Sequence, residues 1–348
     1  MRAMVLREIS QVTETSEPLL LEDWPQPRPG PGEVLLRVHC CGVCHTELDE
    51  IEGRAAPPAL PVIPGHEAVG EIIEHGAGVG EPAVGTRVGV AWIFSACGEC
   101  SLCLRGEENL CPRFRATGRD AHGGYAEYMS VPAAFVHPLP EAIADEDAAP
   151  MLCAGAIGRR SLRLTGIANG QVLGLTGFGG SNHQVLDLAR CLYPDSPILV
   201  WARDPQQRRQ ALEAGARWAG DTMERAPLEA DAIIDTTPVW KPVLAALEFL
   251  APGGRLVINA IRKESRDRHL LADLDYAQQL WKEKEIKSVA NVTRADVREF
   301  LQLAAEHGLR PKTETLPLAE ANRALRELRT GPIRGAKVLK MLPAVGGR

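Results

Sequence analysis

The sequence predicts an α/β protein with two domains, one rich in β-strands and one built around a doubly wound parallel sheet. The chain of 348 residues, 45% hydrophobic and 24% charged, is long enough for two domains with separate cores. Its first 150 residues contain short strands separated by Gly and Pro, whereas strands and helices alternate between about 152 and 290. Such alternation indicates a parallel sheet that is covered on both faces.

The predicted elements follow the chain in order. In the first part, the strand segments are GEVLLRVHCCG, AVGEIIEHGAG, GTRVGVAW and AEYMSVP. In the middle part, the strands QVLGLTG, SPILVWA, ADAIIDTT and GGRLVINA alternate with helical segments such as HQVLDLARCL and PQQRRQALEAGA. The last part is predicted to form two helices, RADVREFLQLAAEHG and PLAEANRALRELR, followed by a closing strand, AKVLKM.

Charge and composition exclude several classes of protein. The net charge of −6, the pI near 5.9 and the lack of a basic block argue against a nucleic-acid-binding protein. The opening MRAMVLREIS is not typical of a signal peptide, and no apolar run is long enough to span a bilayer. We therefore expect a cytoplasmic protein with no membrane partner. In that compartment, nine cysteines indicate metal binding or catalysis more than disulfides.

Four cysteines form a knuckle at residues 97–111, with the spacing C-x2-C-x2-C-x7-C; they are Cys97, Cys100, Cys103 and Cys111. Four thiolates that converge fit a tetrahedral structural zinc, whose shell is full and has no open position. An iron–sulfur cluster is the alternative, because a similar run of cysteines can bind one. In either case we expect the knuckle to stabilise the fold and to perform no reaction.

A second metal site is suggested by CGVCHTELDE, residues 41–50. A catalytic zinc needs three protein ligands and one open position. The segment CGVCH contains three candidate ligands, but so short a strand-to-turn stretch cannot easily aim all of them at one ion. Distant candidates are His66, followed by Glu67 in IPGHEAVG, and Cys153 in APMLCAGA. A Cys-His-Cys set drawn from distant segments would place the metal in the cleft between the two domains.

A glycine-rich loop indicates a dinucleotide site. Gly177, Gly179 and Gly180 follow the strand VLGLT and precede a helix that starts near Ser181. Such glycines let the backbone turn tightly and approach a pyrophosphate at the helix N-terminus. The third glycine of the usual pattern is replaced by Asn182, which predicts looser packing of helix against strand. A simple glycine-rich turn is the alternative.

Several of these motifs resemble the zinc-dependent alcohol dehydrogenases of the medium-chain dehydrogenase/reductase superfamily. The segment GHEAVGEIIEHGAGV fits the zinc signature of that family, and CGVCHTEL, the knuckle and MLCAG occur in the same order. The resemblance covers essentially the whole chain. It implies a GroES-like catalytic domain at residues 1–151 and 291–348, interrupted by a Rossmann dinucleotide-binding domain at residues 152–290.

The resemblance also implies roles for individual residues. Cys44, His66 and Cys153 would bind the catalytic zinc, and the knuckle would bind a second zinc ion. Cys40 and Cys41, although they precede the first of these ligands, would be structural. Taken singly, each ligand could also be a buried cysteine or a core histidine.

Four further polar residues match positions with a function in the family. His45 would contact the cofactor pyrophosphate, and the Thr46 hydroxyl would take the alcohol proton. Glu47 would orient the zinc-binding histidine by fixing its tautomer. Glu67 would approach the metal when water leaves.

Asp49 departs from the family pattern, which often has a proton-relay histidine five residues after the cysteine ligand. One hypothesis is that Asp49 accepts the proton through water. A second is that the relay is shortened at Thr46 and the cofactor ribose. A third is that Asp49 is a solvated acid without a role, as carboxylates on loops usually are.

The choice between NAD and NADP depends on the end of the second strand of the middle part. Ala202 stands where NAD-preferring relatives often have an acid for the ribose hydroxyls, and Arg203 could accept a 2′-phosphate. These two residues slightly favour NADP over NAD. Asp204 could reach the ribose, or it could cap the helix that begins at Pro205.

The substrate pocket is less well defined by the sequence. Trp92 matches a pocket-lining aromatic of the family, although a tryptophan in a strand is often part of the core. Ile157, Arg159 and Ala336 replace a common Thr, an aromatic and an Arg, respectively. Arg159 could meet an acidic substrate group, but a solvated helix face is the simpler interpretation for it and for Arg160.

The leading functional prediction is reversible oxidation of an alcohol to an aldehyde or ketone with NAD(P) and two zinc ions per chain. One alternative is a more specialised dehydrogenase or reductase, acting on a polyol or an acyl-CoA-linked substrate. Another is a catalytically degenerate nucleotide-binding protein. The family implies a homodimer or homotetramer, formed through the edge of the Rossmann sheet, for which GGRLVINA is a plausible edge strand.

Overall fold

A computed structural model describes residues 1–331 and 335–341. The strands of this part of the chain, in order, are β1 Arg2–Leu6, β2 Leu19–Asp23, β3 Glu33–Val43, β4 Ala68–His75, β5 Arg87–Val90, β6 Ile93–Ser95, β7 Arg115–Ala116, β8 Tyr128–Pro132, β9 Val136–Pro138, β10 Leu173–Thr176, β11 Ile198–Trp201, β12 Trp218–Gly220, β13 Ala230–Asp235, β14 Leu250–Ile258, β15 Glu285–Ser288, β16 Thr313–Pro317 and β17 Ala336–Lys340.

The α-helices of the same residues are α1 His45–Ile51, α2 Ser101–Leu104, α3 Asp145–Pro150, α4 Ala156–Thr165, α5 Gly180–Leu192, α6 Pro205–Glu213, α7 Lys241–Phe249, α8 Arg294–His307 and α9 Ala321–Thr330. A π-helical turn, Met151–Gly155, joins α3 to α4. Within the described residues, none of the helices is both long enough and apolar enough to cross a membrane.

The chain divides into two compact units, which are described separately. Unit 1 comprises Met1–Ala156 and the residues from Val292 onward, and unit 2 comprises Ile157–Asn291. The division lies at 156/157, whereas the sequence predicted 151/152. The π-helical turn belongs with unit 1 because Gly155 packs against Phe300 of α8, so closely that a Cβ at Gly155 would overlap the ring.

Unit 1 is built on a mainly antiparallel sheet in the order β16-β17-β3-β4-β5-β9, with β8 also paired to β3. Apolar side chains of β3 and β4, such as Leu36 and Ile72, pack in a core with residues of β1, α1 and α9. Strands β3 and β4 are antiparallel, with Cys41 opposite Ala68. The end of β3 therefore lies beside the start of β4, which brings Cys44 close to His66.

Unit 2 contains a six-stranded parallel sheet in the order β12-β11-β10-β13-β14-β15. The chain proceeds from β10 in one direction and from β13 in the other, so the two neighbouring strands β10 and β13 form the switch point of a doubly wound sheet. In register, Thr176 at the end of β10 lies opposite Asp235 at the end of β13. The predicted α/β class and the doubly wound sheet are confirmed.

The prediction that GGRLVINA forms the edge of this sheet is wrong. It belongs to β14, which lies between β13 and β15, and its residues Leu256 and Val257 are fully buried. The edge strand on this side of the sheet is β15, whose four residues are all exposed, and β12 forms the opposite edge. Interior strands of parallel sheets are strongly apolar, whereas edge strands carry charged residues, as EIKS does here.

Candidate active site

Cys44 lies at the junction where β3 ends and α1 begins. It occupies the N-cap position of α1, in an extended backbone conformation. Its backbone N–H donates to Glu47 Oε2 at 2.9 Å, so the third residue of the helix closes a capping box around it. This local bond fixes the position from which the Cys44 sulfur projects.

The same carboxylate holds His66. The Nδ1–H of His66 donates to Glu47 Oε1 at 2.5 Å, and both side chains are almost completely buried. With Nδ1 protonated, Nε2 carries the free lone pair that a metal ligand requires. His66 Nε2 is buried and has no hydrogen-bond partner among the described residues. Glu47 therefore positions two candidate ligands at once.

Cys153 and Glu67 complete a group of four ligands. The Cys153 sulfur, in the π-helical turn, lies 4.0 Å from the Cys44 sulfur. One ligand atom from each of Cys44, His66, Glu67 and Cys153 lies within 4.8 Å of all the others. Two sulfurs, one imidazole nitrogen and one carboxylate oxygen are a donor set typical of zinc. The residues present therefore fit the ion that the sequence predicted.

The position of Glu67 depends on a glycine that the sequence did not single out. A Cβ on Gly42, in β3, would overlap Glu67 Oε2. Gly42 also donates its backbone N–H to the carbonyl oxygen of Glu67 at 3.1 Å. Only glycine at this position leaves room for the Glu67 carboxylate beside the ligands.

Burial and mutual contact shift the pKa values of these groups in the metal-free chain. The contact with Cys153, aided by His66, lowers the pKa of the Cys44 thiol well below its usual range. The same contact and burial raise the pKa of Cys153 well above it. Burial, and then the Cys44 charge, raises the pKa of Glu67. A divalent cation bound between the two sulfurs would displace the proton that the raised pKa of Cys153 favours.

The four cysteines of the knuckle also converge. Their sulfurs all lie within 4.8 Å of one another. Backbone N–H groups of Cys97, Cys100 and Cys103 donate to knuckle sulfurs at 3.3 to 3.5 Å. Amide hydrogen bonds, first those from Glu99 and Cys100, lower the pKa of Cys97 to about 6. Sulfurs this close together fit one shared ion better than a cluster of several iron atoms.

The remaining polar residues of α1 differ in their environments. His45 is exposed, and the Thr46 hydroxyl lies 3.7 Å from the Cys44 sulfur. Asp49 is 5% exposed, and its Oδ1 accepts from Arg54 Nε at 2.5 Å. The interpretation of Asp49 as a solvated acid is therefore wrong. A short helix gives too little periodicity for its buried face to be read from the sequence.

Trp92 contacts an acid that the sequence did not indicate. Its indole Nε1–H donates to Glu50 Oε1 at 3.3 Å, and its ring lies 5.6 Å from that of Phe114. Glu50 is 1% exposed, and burial, together with the Glu47 charge, raises the pKa of its carboxyl group well above the usual range. Trp92 itself is half-buried, between β5 and β6, so it is not the fully buried core tryptophan that the sequence left as the alternative to a pocket residue.

The glycine-rich loop connects β10 to α5. Gly177 has φ of +76°, in the left-handed region that favours glycine, and Gly179 caps the helix that begins at Gly180. Asn182 is fully buried, and its Nδ2 donates to the carbonyl oxygens of Thr176, at 3.1 Å, and Gly177, at 2.7 Å. The amide thus ties the helix to the strand end, so the expectation of looser packing is wrong.

The end of β11 contains the residues that bear on cofactor choice. Ala202 is buried, and Arg203 is exposed. Asp204 caps α6, because its side chain accepts from the backbone N–H of Gln206 at 2.8 Å and Pro205 follows as the first helical residue. The capping role predicted for Asp204 is confirmed.

Two segments match family models. Residues 30–141 match the alcohol dehydrogenase GroES-like domain, and residues 214–339 match the zinc-binding dehydrogenase domain. The chain is 48% identical over 318 residues to the probable alcohol dehydrogenase AdhA of Mycobacterium tuberculosis, with 90% of each protein covered. It is 33% identical to an alcohol dehydrogenase of Geobacillus stearothermophilus over 98% of this chain and 99% of that protein.

The chain belongs to the zinc-type alcohol dehydrogenase family.

Solved structures agree with this assignment. The fold is similar to that of a cinnamyl alcohol dehydrogenase from Sorghum bicolor, with a TM-score of 0.82, 26% identity and 97% of each chain covered. It is also similar to an NAD-dependent alcohol dehydrogenase, with a TM-score of 0.84, 26% identity, and 98% and 99% of the two chains covered. The predicted GroES-like and Rossmann folds are thereby confirmed, and the protein is an NAD(P)-dependent alcohol oxidoreductase.

Two residues that depart from the usual pattern of zinc-type alcohol dehydrogenases, Ile157 and Arg159, lie in α4 beside Arg160, and a third, Ala336, begins β17. Arg160 is 6% exposed, so its assignment to a solvated helix face is wrong. Ile157 and Arg159 are half-buried. Ala336 is half-buried and pairs with Thr313 of β16.

Proposed function

We propose that this enzyme transfers hydride between a primary or secondary alcohol and NAD(P) at a zinc ion held by Cys44, His66 and Cys153. One observation carries the proposal: His66 Nε2 is buried without a hydrogen-bond partner among the described residues, next to two sulfurs that lie 4.0 Å apart. A buried nitrogen without a partner is costly unless a ligand satisfies it. A cation at this point would satisfy the nitrogen and both sulfurs.

When bound, the zinc ion supplies Lewis-acid chemistry: it lowers the pKa of the alcohol and polarises the carbonyl product. The surrounding residues hold the ligands and move the proton. Glu47 keeps His66 in the tautomer that presents Nε2, and it fixes the backbone of Cys44. The Glu67 carboxylate has an oxygen within 4.8 Å of the other three ligand atoms, so it would serve as an additional ligand when water leaves.

For proton release, we propose a path along α1 from Thr46 to Asp49. The Thr46 hydroxyl, 3.7 Å from the Cys44 sulfur, would take the alcohol proton. Residues three apart lie on the same face of a helix, so Asp49 follows Thr46 on that face. Arg54 holds the Asp49 carboxylate in place at 2.5 Å. His45, which is exposed at the start of α1, would contact the cofactor pyrophosphate.

We propose that the knuckle holds a second, structural zinc ion with Cys97, Cys100, Cys103 and Cys111. All four positions of a tetrahedral ion would be filled by sulfur, which leaves none for a substrate. This gives two zinc ions per chain.

For the cofactor, we propose that the loop with Gly177, Gly179 and Gly180 binds the pyrophosphate and that NADP is slightly preferred. Left-handed glycine and a helix N-terminus suit a close approach of phosphate. Ala202 offers no carboxylate to the ribose hydroxyls, and the exposed Arg203 can meet a 2′-phosphate.

Trp92, hydrogen-bonded to Glu50, would form one wall of the alcohol pocket.

We propose that the protein is a homodimer or homotetramer assembled through β15. This strand presents an unpaired edge of the six-stranded sheet, and Ile286 is 46% exposed on it. Exposed strand edges pair readily with other strands. We also propose that the enzyme works in the cytoplasm, because none of its nine cysteines forms a disulfide and six of them belong to the two proposed metal sites, a use of cysteine typical of a reducing compartment.

The test is zinc analysis combined with a panel of alcohols and aldehydes assayed with both NAD and NADP. We expect two zinc ions per chain and alcohol-dependent NAD(P)H formation that is lost in Cys153→Ser. The Cys191→Ser variant is the matched control, because Cys191 lies in α5 and is a member of neither ligand group. Full activity of Cys153→Ser with its zinc content unchanged would refute the proposed site.

A further inference from the structure

Unit 1 contains a cavity of about 450 Å³ that none of the roles above uses. It lies at the base of the knuckle, because each of the two strands that flank residues 97–111 contributes a lining residue, Phe94 of β6 and Arg115 of β7. Its described lining residues include neither the four candidate ligands around Cys44 nor the knuckle cysteines. Cavities of this size typically hold small molecules.

The walls of the cavity are mainly apolar and contain several rigid rings. The Trp24 indole and the His122 imidazole meet edge to face, with their ring centroids 5.5 Å apart. Four prolines add to these walls; they are Pro25, Pro27, Pro58 and Pro61. Because rings of this kind have little side-chain entropy to lose, they offer a preorganised surface. A flat apolar body, such as an aromatic ring system, fits such walls.

Arg115 brings to this cavity a positive charge that no acid neutralises. Its guanidinium carbon lies 5.3 Å from the centroid of the Phe94 ring, and its Nη2 donates to the backbone carbonyl oxygen of Asp120 at 2.7 Å. Within the described residues it has no carboxylate partner. The aromatic ring thus holds the guanidinium in place while further N–H groups stay available.

Two more donors line the same cavity. The contacts of Arg119 are weak, to the carbonyl oxygen of Ala56 at 3.4 Å and to Asp120 Oδ2 at 3.5 Å, both long for a hydrogen bond. His122 Nδ1 accepts from the backbone N–H of Ile63 at 3.2 Å, so the hydrogen of the neutral imidazole is on Nε2. This Nε2–H is a donor that a ligand can use.

The two acids among the described lining residues are held by donors of their own. Asp120 Oδ2 accepts from the backbone N–H of Ala116 at 2.7 Å. Glu33 Oε2 accepts from the backbone N–H of Gly30, at 3.0 Å, and from the Ser130 hydroxyl, at 2.7 Å. The two arginines of the cavity therefore remain the groups that a ligand can pair with, and they call for an anion.

The shape and the setting of these arginines indicate which anion. A guanidinium group binds a carboxylate through two parallel hydrogen bonds, a strong and geometrically specific arrangement. Apolar walls make the desolvation of charge costly, so a singly charged carboxylate suits them better than a doubly charged phosphate does.

We propose that this cavity is a second ligand site of the enzyme and that its ligand is an aromatic carboxylate. The aromatic body packs against Trp24 and the prolines. The carboxylate pairs with Arg115, and Arg119 and His122 Nε2–H are the further donors. The site is separate from the proposed zinc chemistry, because its residues belong to neither ligand group.

The experiment compares 2-naphthoate with 2-naphthamide, an uncharged molecule of the same shape, by titration calorimetry of the zinc-loaded enzyme. We expect wild type to bind one 2-naphthoate per chain with a Kd of about 1 mM or lower. The amide should bind at least about tenfold more weakly, because hydrogen bonds between charged groups are roughly twice as strong as neutral ones. Equal affinity for the two molecules, or no saturable binding of 2-naphthoate, would overturn the proposal.

Variants locate the binding. Arg115→Met, which keeps an apolar side chain over Phe94, should bind 2-naphthoate about as weakly as wild type binds the amide, and Arg115→Lys should recover part of the loss. Arg323→Met is the matched control, because Arg323 is an exposed arginine of the same unit, and it should bind as wild type does. Wild-type affinity in Arg115→Met would refute the site.

Two further variants keep the outcome clear. Should Arg115→Met not fold, Arg119→Met, which removes an arginine with weak contacts, must weaken 2-naphthoate binding by at least about threefold. Cys153→Ser should bind 2-naphthoate as wild type does, and a loss there would place the ligand at the zinc site and refute the proposal. Alcohol-dependent activity of the same preparation tests the proposed function separately.

Discussion

The Glu47 carboxylate accepts a hydrogen bond from His66 Nδ1 at 2.5 Å, while its second oxygen accepts from the backbone of Cys44 at 2.9 Å. One side chain therefore sets the orientation of the imidazole and the start of α1 that presents the neighbouring sulfur. The first prediction follows from this double contact.

Glu47→Gln should weaken catalytic zinc binding by about 10- to 100-fold, because the amide supports the imidazole less well than a carboxylate does. The measurement is competition with a chromophoric chelator, followed by activity at saturating zinc. Glu74→Gln, which changes an exposed carboxylate on β4, is the control and should leave zinc affinity unchanged. Equal zinc affinity in the Glu47 and Glu74 variants would contradict the role of Glu47.

Cys103→Ser should remove one of the two zinc ions and lower the melting temperature, while kcat per folded molecule stays near the wild-type value. The reason is that the knuckle sulfurs lie within 4.8 Å of one another and form a group separate from the Cys44 group. The zinc content is measured by elemental analysis, the melting temperature by calorimetry, and kcat as the rate per active site. A variant that keeps both zinc ions, or that loses turnover without losing stability, would disprove it.

Asp49→Asn should change the pH profile of kcat/KM for alcohol oxidation, because the amide cannot accept the proton that Thr46 passes on. The profile is measured from pH 5 to 10 with Glu141→Gln, an exposed carboxylate outside α1, as the control. An unchanged apparent pKa in the Asp49 variant would remove Asp49 from the relay and favour the shortened route.

Glu52→Gln should destabilise the protein at neutral pH and have no effect in acid. Burial opposes ionisation of Glu52, but the N–H of Val12 and the Arg54 guanidinium outweigh it and lower the pKa of the carboxyl group below its ordinary value of 4.5. A lowered folded-state pKa adds stability that is present above the unfolded value and is lost as the pH falls through the folded one. Unfolding in urea at pH 7 and at pH 3 should show a difference between variant and wild type only at pH 7.

Arg203→Ala should lower kcat/KM with NADP and leave kcat/KM with NAD nearly unchanged. Arg203 is exposed at the end of β11, and its charge would matter only to a cofactor that carries the 2′-phosphate. Steady-state kinetics with both cofactors decide the matter. If the Arg203→Ala substitution lowered kcat/KM with NAD as much as with NADP, Arg203 would act on something other than the 2′-phosphate.

Much of the candidate site could be predicted because its chemistry depends on rare residue types in fixed motifs. Cysteine clusters and the GHE segment predicted both ligand groups, and the structure brings the members of each group together. The buried acids of α1 could not be predicted in the same way. Glu50 is 1% exposed, and its carboxyl group accepts a hydrogen bond from Trp92, which is distant in sequence. The residues around Glu50, ELDEIEG, therefore give no indication of its contact with Trp92.

The fold shows the same limit. Strands with strong apolar character, such as β3 and β13, were predicted within a few residues. Strand β15 was not, because EIKS is fully exposed and gains its conformation from pairing with β14. Because β15 was not predicted as a strand, the edge of the sheet was predicted at β14, which is more apolar. Likewise, the ion pair of Asp235 with Lys263 joins residues that only the sheet order brings together.

The most direct test of the catalytic site is an anomalous difference map at the zinc edge from crystals of the active, zinc-loaded enzyme. We predict one peak bonded to the sulfurs of Cys44 and Cys153 and to Nε2 of His66, at about 2.3 Å from sulfur and about 2.0 to 2.1 Å from nitrogen. A second peak is expected within the knuckle. An active, zinc-loaded enzyme with no peak between these three ligand atoms would contradict the account.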